Sequence, residues 1–200
     1  MKVGVLGGTF DPIHTGHLGG AEAALKCARL DQVLFVPASR PPHRPAAIAP
    51  PEHRLAMCKL AIDGDPRFAV SDSELRRPGP SYTVDTLIEL HQLEPQHELF
   101  LILGWDAAAL FRSWRRPEQV RELASIVIVA RPGTSSPALD DLALAGLGGP
   151  GVVLCLEHTP AVSGSEIRRD IAEGRSIAGR VPPAVEGYIA ANHLYARSSP

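Results

Sequence analysis

The sequence predicts an α/β fold, a doubly wound and mostly parallel sheet with helices on both faces and further helices at the C-terminal end. Three observations carry that expectation. Short apolar runs of strand type recur at residues 3–6, 33–36, 68–70, 99–103, 126–129 and 152–156. Helical patterns separate most of them, which is the sequence form of repeated βαβ units. At 200 residues and 44% hydrophobic, the chain suffices for one domain with a full core, residues 1–200, and is short for two.

Composition narrows the partners. The formal charge of −2 and the absence of a basic run argue against a nucleic-acid surface, which needs clustered Lys and Arg. Small anionic ligands remain open. The chain opens on a core strand after a single Lys, so no signal peptide is expected, and no apolar stretch is long enough to span a bilayer. The expectation is a soluble cytoplasmic protein without a membrane partner; the oligomeric state stays open, a homo-oligomer included. Cys27, Cys58 and Cys155 are odd in number, far apart and set in apolar patterns, so they are expected as buried thiols and not as a disulfide or metal cluster.

The first strand runs into Gly7, Gly8, Thr9, Phe10 and Asp11, after which Ala21, Ala24, Leu25 and Ala28 recur at helical spacing. This reads as strand, glycine turn, helix. Glycines let the backbone turn tightly and bring its N–H groups close to an anion, and the helix start adds unpaired N–H groups and the positive end of a dipole. His14 and His17 lie three apart, which puts both imidazoles on one face of a first helical turn beside that site. A zinc pair and two ordinary surface histidines are the competing explanations. Zinc would want further ligands at short spacing, and none lies nearby.

Gly-Gly-Thr-Phe-Asp-Pro-Ile-His-Thr-Gly-His-Leu, residues 7–18, resembles the signature of the nucleotidyltransferase superfamily, whose members move a nucleotide monophosphate from ATP or CTP onto a phosphate or similar acceptor. Class I aminoacyl-tRNA synthetases carry a related His-x-Gly-His, so the stretch names a superfamily and leaves the substrate to the rest of the chain. The fold implied is Rossmann-like.

Residues 37–51 follow the second strand and are rich in proline, which forbids regular structure and predicts a long, stiff loop at the ligand-binding edge. Pro-Pro-His followed by a cation, residues 41–44, resembles the loop that helps hold ATP phosphates in bacterial nicotinate-nucleotide adenylyltransferases; Arg44 carries the likeness. Residues 52–62 read as a helix with Leu55, Cys58, Ala61 and Ile62 inward and Arg54 a solvated cation. Residues 77–88 run from a turn into a helix with Val84, Leu87 and Ile88 inward, where Ser81 or Thr83 would cap the start. Ser-Tyr-Thr-Val-Asp-Thr-Leu, residues 81–87, also resembles a motif of the same family, in which the backbone near Thr86 receives the pyridine carboxylate.

The strand at 99–103 leads into Gly104, Trp105 and Asp106, an apolar helix to Phe111, then Ser113 and Trp114. The family pattern implies that Asp106 binds a ribose hydroxyl and that Trp114 stacks on the pyridine ring; core packing is the alternative for both tryptophans. Trp105 stands at a variable position, where it would narrow the pocket or pack against a loop. Arg131, Pro132 and Gly133 match the family after the fifth strand, and residues 134–151 carry only a weak helix and no chemistry. Ser163 and Glu166 stand in capping-box register before an Ile167/Ile171 stripe, and a helix start with small hydroxyls and Arg168 one turn in suits an anion. The family usually has Ile-Ser-Ser-Thr-x-Ile-Arg here; Gly164 removes one hydroxyl, while Ser163, Ser165 and Arg168 remain. The stretch 181–195, with proline early in its helix, resembles the family's closing helix.

The resemblance implies transfer of AMP from ATP to nicotinate mononucleotide, giving deamido-NAD and pyrophosphate. It implies catalytic roles for His14, His17, Arg44 and Arg168. ATP would lie on Gly8, Thr9, Phe10, His17, Arg44, Gly104, Asp106, Ser163, Ser165 and Arg168, with Mg²⁺ accompanying it. The acceptor would meet Ser81, Tyr82, Thr86 and Trp114. The alternatives are a related adenylyltransferase acting on nicotinamide mononucleotide or phosphopantetheine, and a non-catalytic nucleotide-binding module. A dinucleotide-dependent oxidoreductase is disfavoured, because Gly4, Gly7 and Gly8 have the wrong spacing and no acid follows Val36 directly.

Overall fold

The structure is a computed structural model that describes residues 1–40, 46–130, 137–157 and 159–196. Its first half runs β1 (Lys2–Gly8), α1 (Thr15–Cys27), β2 (Gln32–Pro37), α2 (Pro51–Ile62), β3 (Phe68–Val70), α3 (Ser73–Arg76) and α4 (Thr83–Leu93). The second half runs β4 (Glu98–Gly104), α5 (Trp105–Ala108), a 3₁₀ turn (Phe111–Ser113), α6 (Pro117–Leu123), β5 (Ala124–Val129), α7 (Leu139–Leu144), β6 (Val152–Cys155), α8 (Gly164–Ala172) and α9 (Pro183–Ala191). All six expected strands form, within two residues of the expected bounds at each end. The short α3 and α6 lie outside the expected pattern.

The six strands make one parallel sheet in the order β3-β2-β1-β4-β5-β6. Strand order reverses between β1 and β4, and a parallel sheet opens a crevice at the carboxyl ends of the strands where that happens. The strands alternate strictly between the two faces. Val33, Phe35, Ile102, Val127 and Val129 pack with α1, α2, α8 and α9, against Ala21, Ala24, Met57, Ile167 and Val185. Val3, Val5, Val36, Leu101, Leu103, Ile126 and Ile128 pack on the opposite side with Val84, Leu87, Phe111, Val120 and Leu142. Both faces are covered, so the strands are apolar through their central residues, with Lys2, Gln32 and Glu98 at strand starts.

Several expectations are corrected. Helix α2 is rolled from the expected face: Arg54, Met57 and Cys58 are its buried residues, while Leu55, Ala61 and Ile62 are half-buried. The apolar helix expected after Asp106 as far as Phe111 instead ends at Ala108 and gives way to the 3₁₀ turn, where the Ser113 backbone N–H and hydroxyl both take the Leu110 carbonyl, at 2.9 and 2.7 Å. Cys27 and Cys155, expected as free thiols, form a disulfide with Cα atoms 5.8 Å apart. Packing of α1 on β6 brings their C-terminal ends together across 128 residues, a proximity that spacing does not reveal. Cys58 is a buried thiol, as expected, and burial pushes its pKa up to about 12. No described helix is long and apolar enough to cross a membrane.

Candidate active site

The crevice begins at the end of β1. Gly8 is the last strand residue, its carbonyl accepts the Ala38 N–H at 2.8 Å, and Phe10 turns the chain at φ +48° with its ring 1% exposed. A Cβ on residue 8 would come within 2.9 Å of the Phe10 ring, so this turn requires glycine. The turn delivers His14 as the N-cap of α1 and His17 in its first turn. Their rings stack at 3.7 Å, as the three-residue spacing predicts, and the Phe10 ring meets His17 edge-on at 4.9 Å. His17 Nδ1 accepts the His14 backbone N–H at 3.3 Å. A neutral imidazole accepting through Nδ1 carries its proton on Nε2, so His17 Nε2 is a donor. Among the described residues no group of three His, Cys, Asp or Glu could hold a metal ion.

Two buried groups missed in the sequence hold this turn. Asp11 is 6% exposed, and its carboxylate accepts the N–H groups of Ile48 (2.7 Å) and Ala49 (3.0 Å) and the Tyr195 hydroxyl (2.7 Å). Burial and that hydrogen bond push the Tyr195 pKa far up. Arg54, expected in solvent, is 1% exposed. It donates to the carbonyls of Thr9 and Ala38, both at 2.7 Å, and of Ala49 at 3.2 Å. Burial lowers its pKa, opposed first by the Asp11 charge. One cation thus ties the glycine turn to both described ends of the proline-rich loop. Arg44, in that loop, lies outside the described residues, as do Arg131, Pro132 and Gly133.

The C-terminal motif reaches the same place. Arg168 donates through Nη1 to the Asp11 carbonyl at 2.6 Å, and among the described residues its buried Nε has no hydrogen-bond partner. Ser163 is the N-cap of α8, but the expected capping box is absent: its hydroxyl pairs with that of Ser165 at 2.8 Å and caps no backbone group. The first turn of α8 therefore has no side-chain cap on its N–H groups. A Cβ on residue 164 would sit 3.4 Å from the Asp11 carbonyl, 3.6 Å from Arg168 Nη1 and 3.8 Å from His14 Cδ2. The site has room for a side chain there, and the helix start faces His14.

The motif at residues 81–87 lies on the other flank. Ser81 does not cap α4; Tyr82 is the N-cap. The Ser81 hydroxyl instead accepts the N–H groups of Ser39 (2.9 Å) and Arg40 (3.3 Å), which fastens the motif to the exit of β2. Thr86 is 1% exposed and turned inward, with its hydroxyl donating to Glu74 at 2.6 Å and accepting from Arg77 at 3.1 Å. Trp114 is half-buried, its ring 5.4 Å from Phe111. The two residues after it secure the start of α4: Arg115 lies 4.6 Å over the Tyr82 ring and Arg116 pairs with Asp85 at 2.7 Å. Trp114 and the 81–86 motif, separate in sequence, are thereby neighbours. Gly104 and the exposed Asp106 stand at the start of α5, at the carboxyl end of β4, and Trp105 packs half-buried on the core.

A parallel sheet reversing beside a glycine turn with a stacked histidine pair defines the class, and a cytidylyltransferase-like family model matches residues 5–170. A probable nicotinate-nucleotide adenylyltransferase of Thermus thermophilus is 49% identical over 195 residues, covering 98% of this chain and 100% of the relative. One of Leifsonia xyli is 42% identical, covering 97% of this chain and 94% of its own. The chain belongs to the nicotinate-nucleotide adenylyltransferase family. Its fold is also that of the Plasmodium falciparum nicotinic acid mononucleotide adenylyltransferase complexed with NaAD, with a TM-score of 0.79 at 20% identity and 97% of each chain covered.

Proposed function

We propose that the chain transfers AMP from ATP to nicotinate mononucleotide, releasing pyrophosphate and forming deamido-NAD. The observation that carries this reading is the convergence of three parts: the turn at Gly8 to Phe10 with the histidine pair, the α8 start with Arg168, and the 81–86 motif with Trp114.

A phosphate monoester, with a second pKa near about 6, is already a nucleophile at neutral pH. One of its oxygens attacks the α-phosphorus of ATP, the bond to the bridging oxygen breaks, and pyrophosphate leaves. No general base or covalent residue is needed; catalysis lies in positioning two anions and stabilising charge on the α-phosphate and leaving group. His17 donates from Nε2 to an α-phosphate oxygen, and His14 stacks on it and shares the triphosphate with the backbone of Gly8, Thr9 and Phe10. Arg168, the hydroxyls of Ser163 and Ser165, and Arg44 neutralise the leaving pyrophosphate. Mg²⁺ enters with ATP as part of the substrate. A hard cation bound through phosphate oxygens and water needs no cluster of protein carboxylates. Asp106 accepts ribose hydroxyls beside Gly104. The inward turn of Thr86 presents backbone, not hydroxyl, to the pyridine carboxylate, beside Ser81 and Tyr82, and Trp114 supplies the aromatic face.

The test is pyrophosphate release by the purified protein with MgATP and, in parallel, nicotinate mononucleotide, nicotinamide mononucleotide or phosphopantetheine. Fast release with the first alone is expected. Release with another acceptor instead would overturn the substrate and keep the class; silence with all three would leave a binding module.

A further inference from the structure

Glu74 is a buried carboxylate that the reaction above does not use. It lies on α3, is 7% exposed, and faces the core between the acceptor motif and the exit of β2. The Thr86 hydroxyl converges on it, Oγ1 donating to Glu74 Oε1 at 2.6 Å. The same oxygen accepts from Arg77 Nη1 at 3.1 Å, so Thr86 bridges the cation and the carboxylate. An ionised carboxylate accepts and never donates, so the proton of that bond belongs to Thr86. Arg77 completes the cluster by pairing with Glu89 on the next turn of α4.

We propose that Glu74 is a positioning residue for the acceptor, acting through the hydroxyl of Thr86 to fix the first turn of α4. The proposal rests on the reading of residues 81–86 and Trp114 as the acceptor pocket. With the Thr86 hydroxyl drawn inward, the backbone of that turn is held in one place for the pyridine carboxylate. Removing the carboxylate leaves Thr86 with Arg77 alone and loosens the turn, while Ser81 keeps its bonds to Ser39 and Arg40, so the ATP side of the crevice stays held. A residue needed only for folding would not divide the two substrates in this way. Glutamine in its place offers one acceptor oxygen instead of two.

The experiment is steady-state kinetics of Glu74→Ala, Glu74→Gln and Trp114→Ala, varying nicotinate mononucleotide and ATP separately. Loss of the buried bond to Thr86 in Glu74→Ala is expected to raise the acceptor KM by about tenfold, with the ATP KM within about threefold and Glu74→Gln between it and wild type. An unchanged acceptor KM in Glu74→Ala, or equal rises in both KM values, would overturn the proposal. Should Glu74→Ala fail to fold, the near-isosteric Glu74→Gln decides by the same split. Trp114→Ala separates the two readings: if it raises the acceptor KM and the Glu74 variants do not, only the role of Glu74 falls; if it too leaves that KM unchanged, the acceptor pocket falls.

Discussion

The Tyr195 hydroxyl donates to the Asp11 carboxylate at 2.7 Å across 184 residues of sequence, joining the last described turn of the chain to its first loop. The same carboxylate holds the N–H groups of Ile48 and Ala49, so one buried acid gathers the glycine turn, the entry to α2 and the C-terminal segment. Tyr195→Phe removes one of three bonds and leaves the ring. A hydrogen bond to a charged group contributes about 1.5 kcal/mol or more, so Tm is expected to fall by roughly 3–6 °C. Differential scanning calorimetry checks it, and an unshifted Tm would mean the latch adds nothing to stability.

Arg54 has a larger task. Arg54→Met keeps most of the side-chain volume and strands the carbonyls of Thr9, Ala38 and Ala49. Buried acceptors without partners are costly, and a loss of about 3 kcal/mol or more is expected in urea denaturation. Because the Thr9 carbonyl belongs to the turn proposed to hold ATP, the ATP KM should rise while the acceptor KM holds.

In the proposed reaction His17 donates to the α-phosphate. Removing one such donor typically lowers kcat by about 10²–10³, and His17→Ala is expected in that range. Single-turnover measurements with saturating ATP isolate the step; a rate within a few-fold of wild type would remove His17 from the chemistry.

Burial raises the Glu74 carboxyl above the ordinary glutamate range, opposed first by its bond from Thr86 and then by the nearby Arg77 charge. The folded state therefore binds the proton more tightly than the unfolded chain. This group's contribution to stability is fully present below the unfolded pKa of about 4.3 and is lost as pH rises through the folded value. Relative to Glu74→Gln, the wild type should lose stability over that window and run parallel to it above. Urea denaturation of both proteins across the acidic range reads this directly, and parallel curves throughout would contradict it.

The disulfide has two readouts. Thiol titration of the denatured, unreduced chain should find Cys58 alone, and the reduced chain all three cysteines. Closing a loop across 128 residues contributes about 5 kcal/mol on chain-entropy grounds, so a reductant or Cys27→Ser should lower the urea midpoint. An unchanged midpoint would show that the bond closes no entropy in the unfolded state.

How much was legible follows from the range of each interaction. The strands were legible because period-two burial and apolar runs are local, and the βαβ alternation then left few sheet orders to choose from. The histidine pair was legible for the same reason: three residues of helix suffice to stack His14 on His17. What escaped depends on segments far apart. Helical spacing placed a residue at 54 but could not show that the carbonyls of residues 9, 38 and 49 would converge on it. Ser81 looks like a helix cap in sequence, and only the return of β2 beside it turns its hydroxyl to Ser39 and Arg40. The expected box at Ser163 and Glu166 failed because Ser165 competed for the hydroxyl.

By itself, then, the sequence determined the alternation of elements, the glycine turn with its histidine pair and the motifs that mark the family, all set by chain geometry over a few residues. The tertiary structure alone decided the Cys27–Cys155 bond, the burial of Arg54 and Glu74 and the latch between Asp11 and Tyr195. Those depend on which distant polar groups packing brings within hydrogen-bond reach once water is excluded, and that information is carried by the assembled core and by no local stretch of chain.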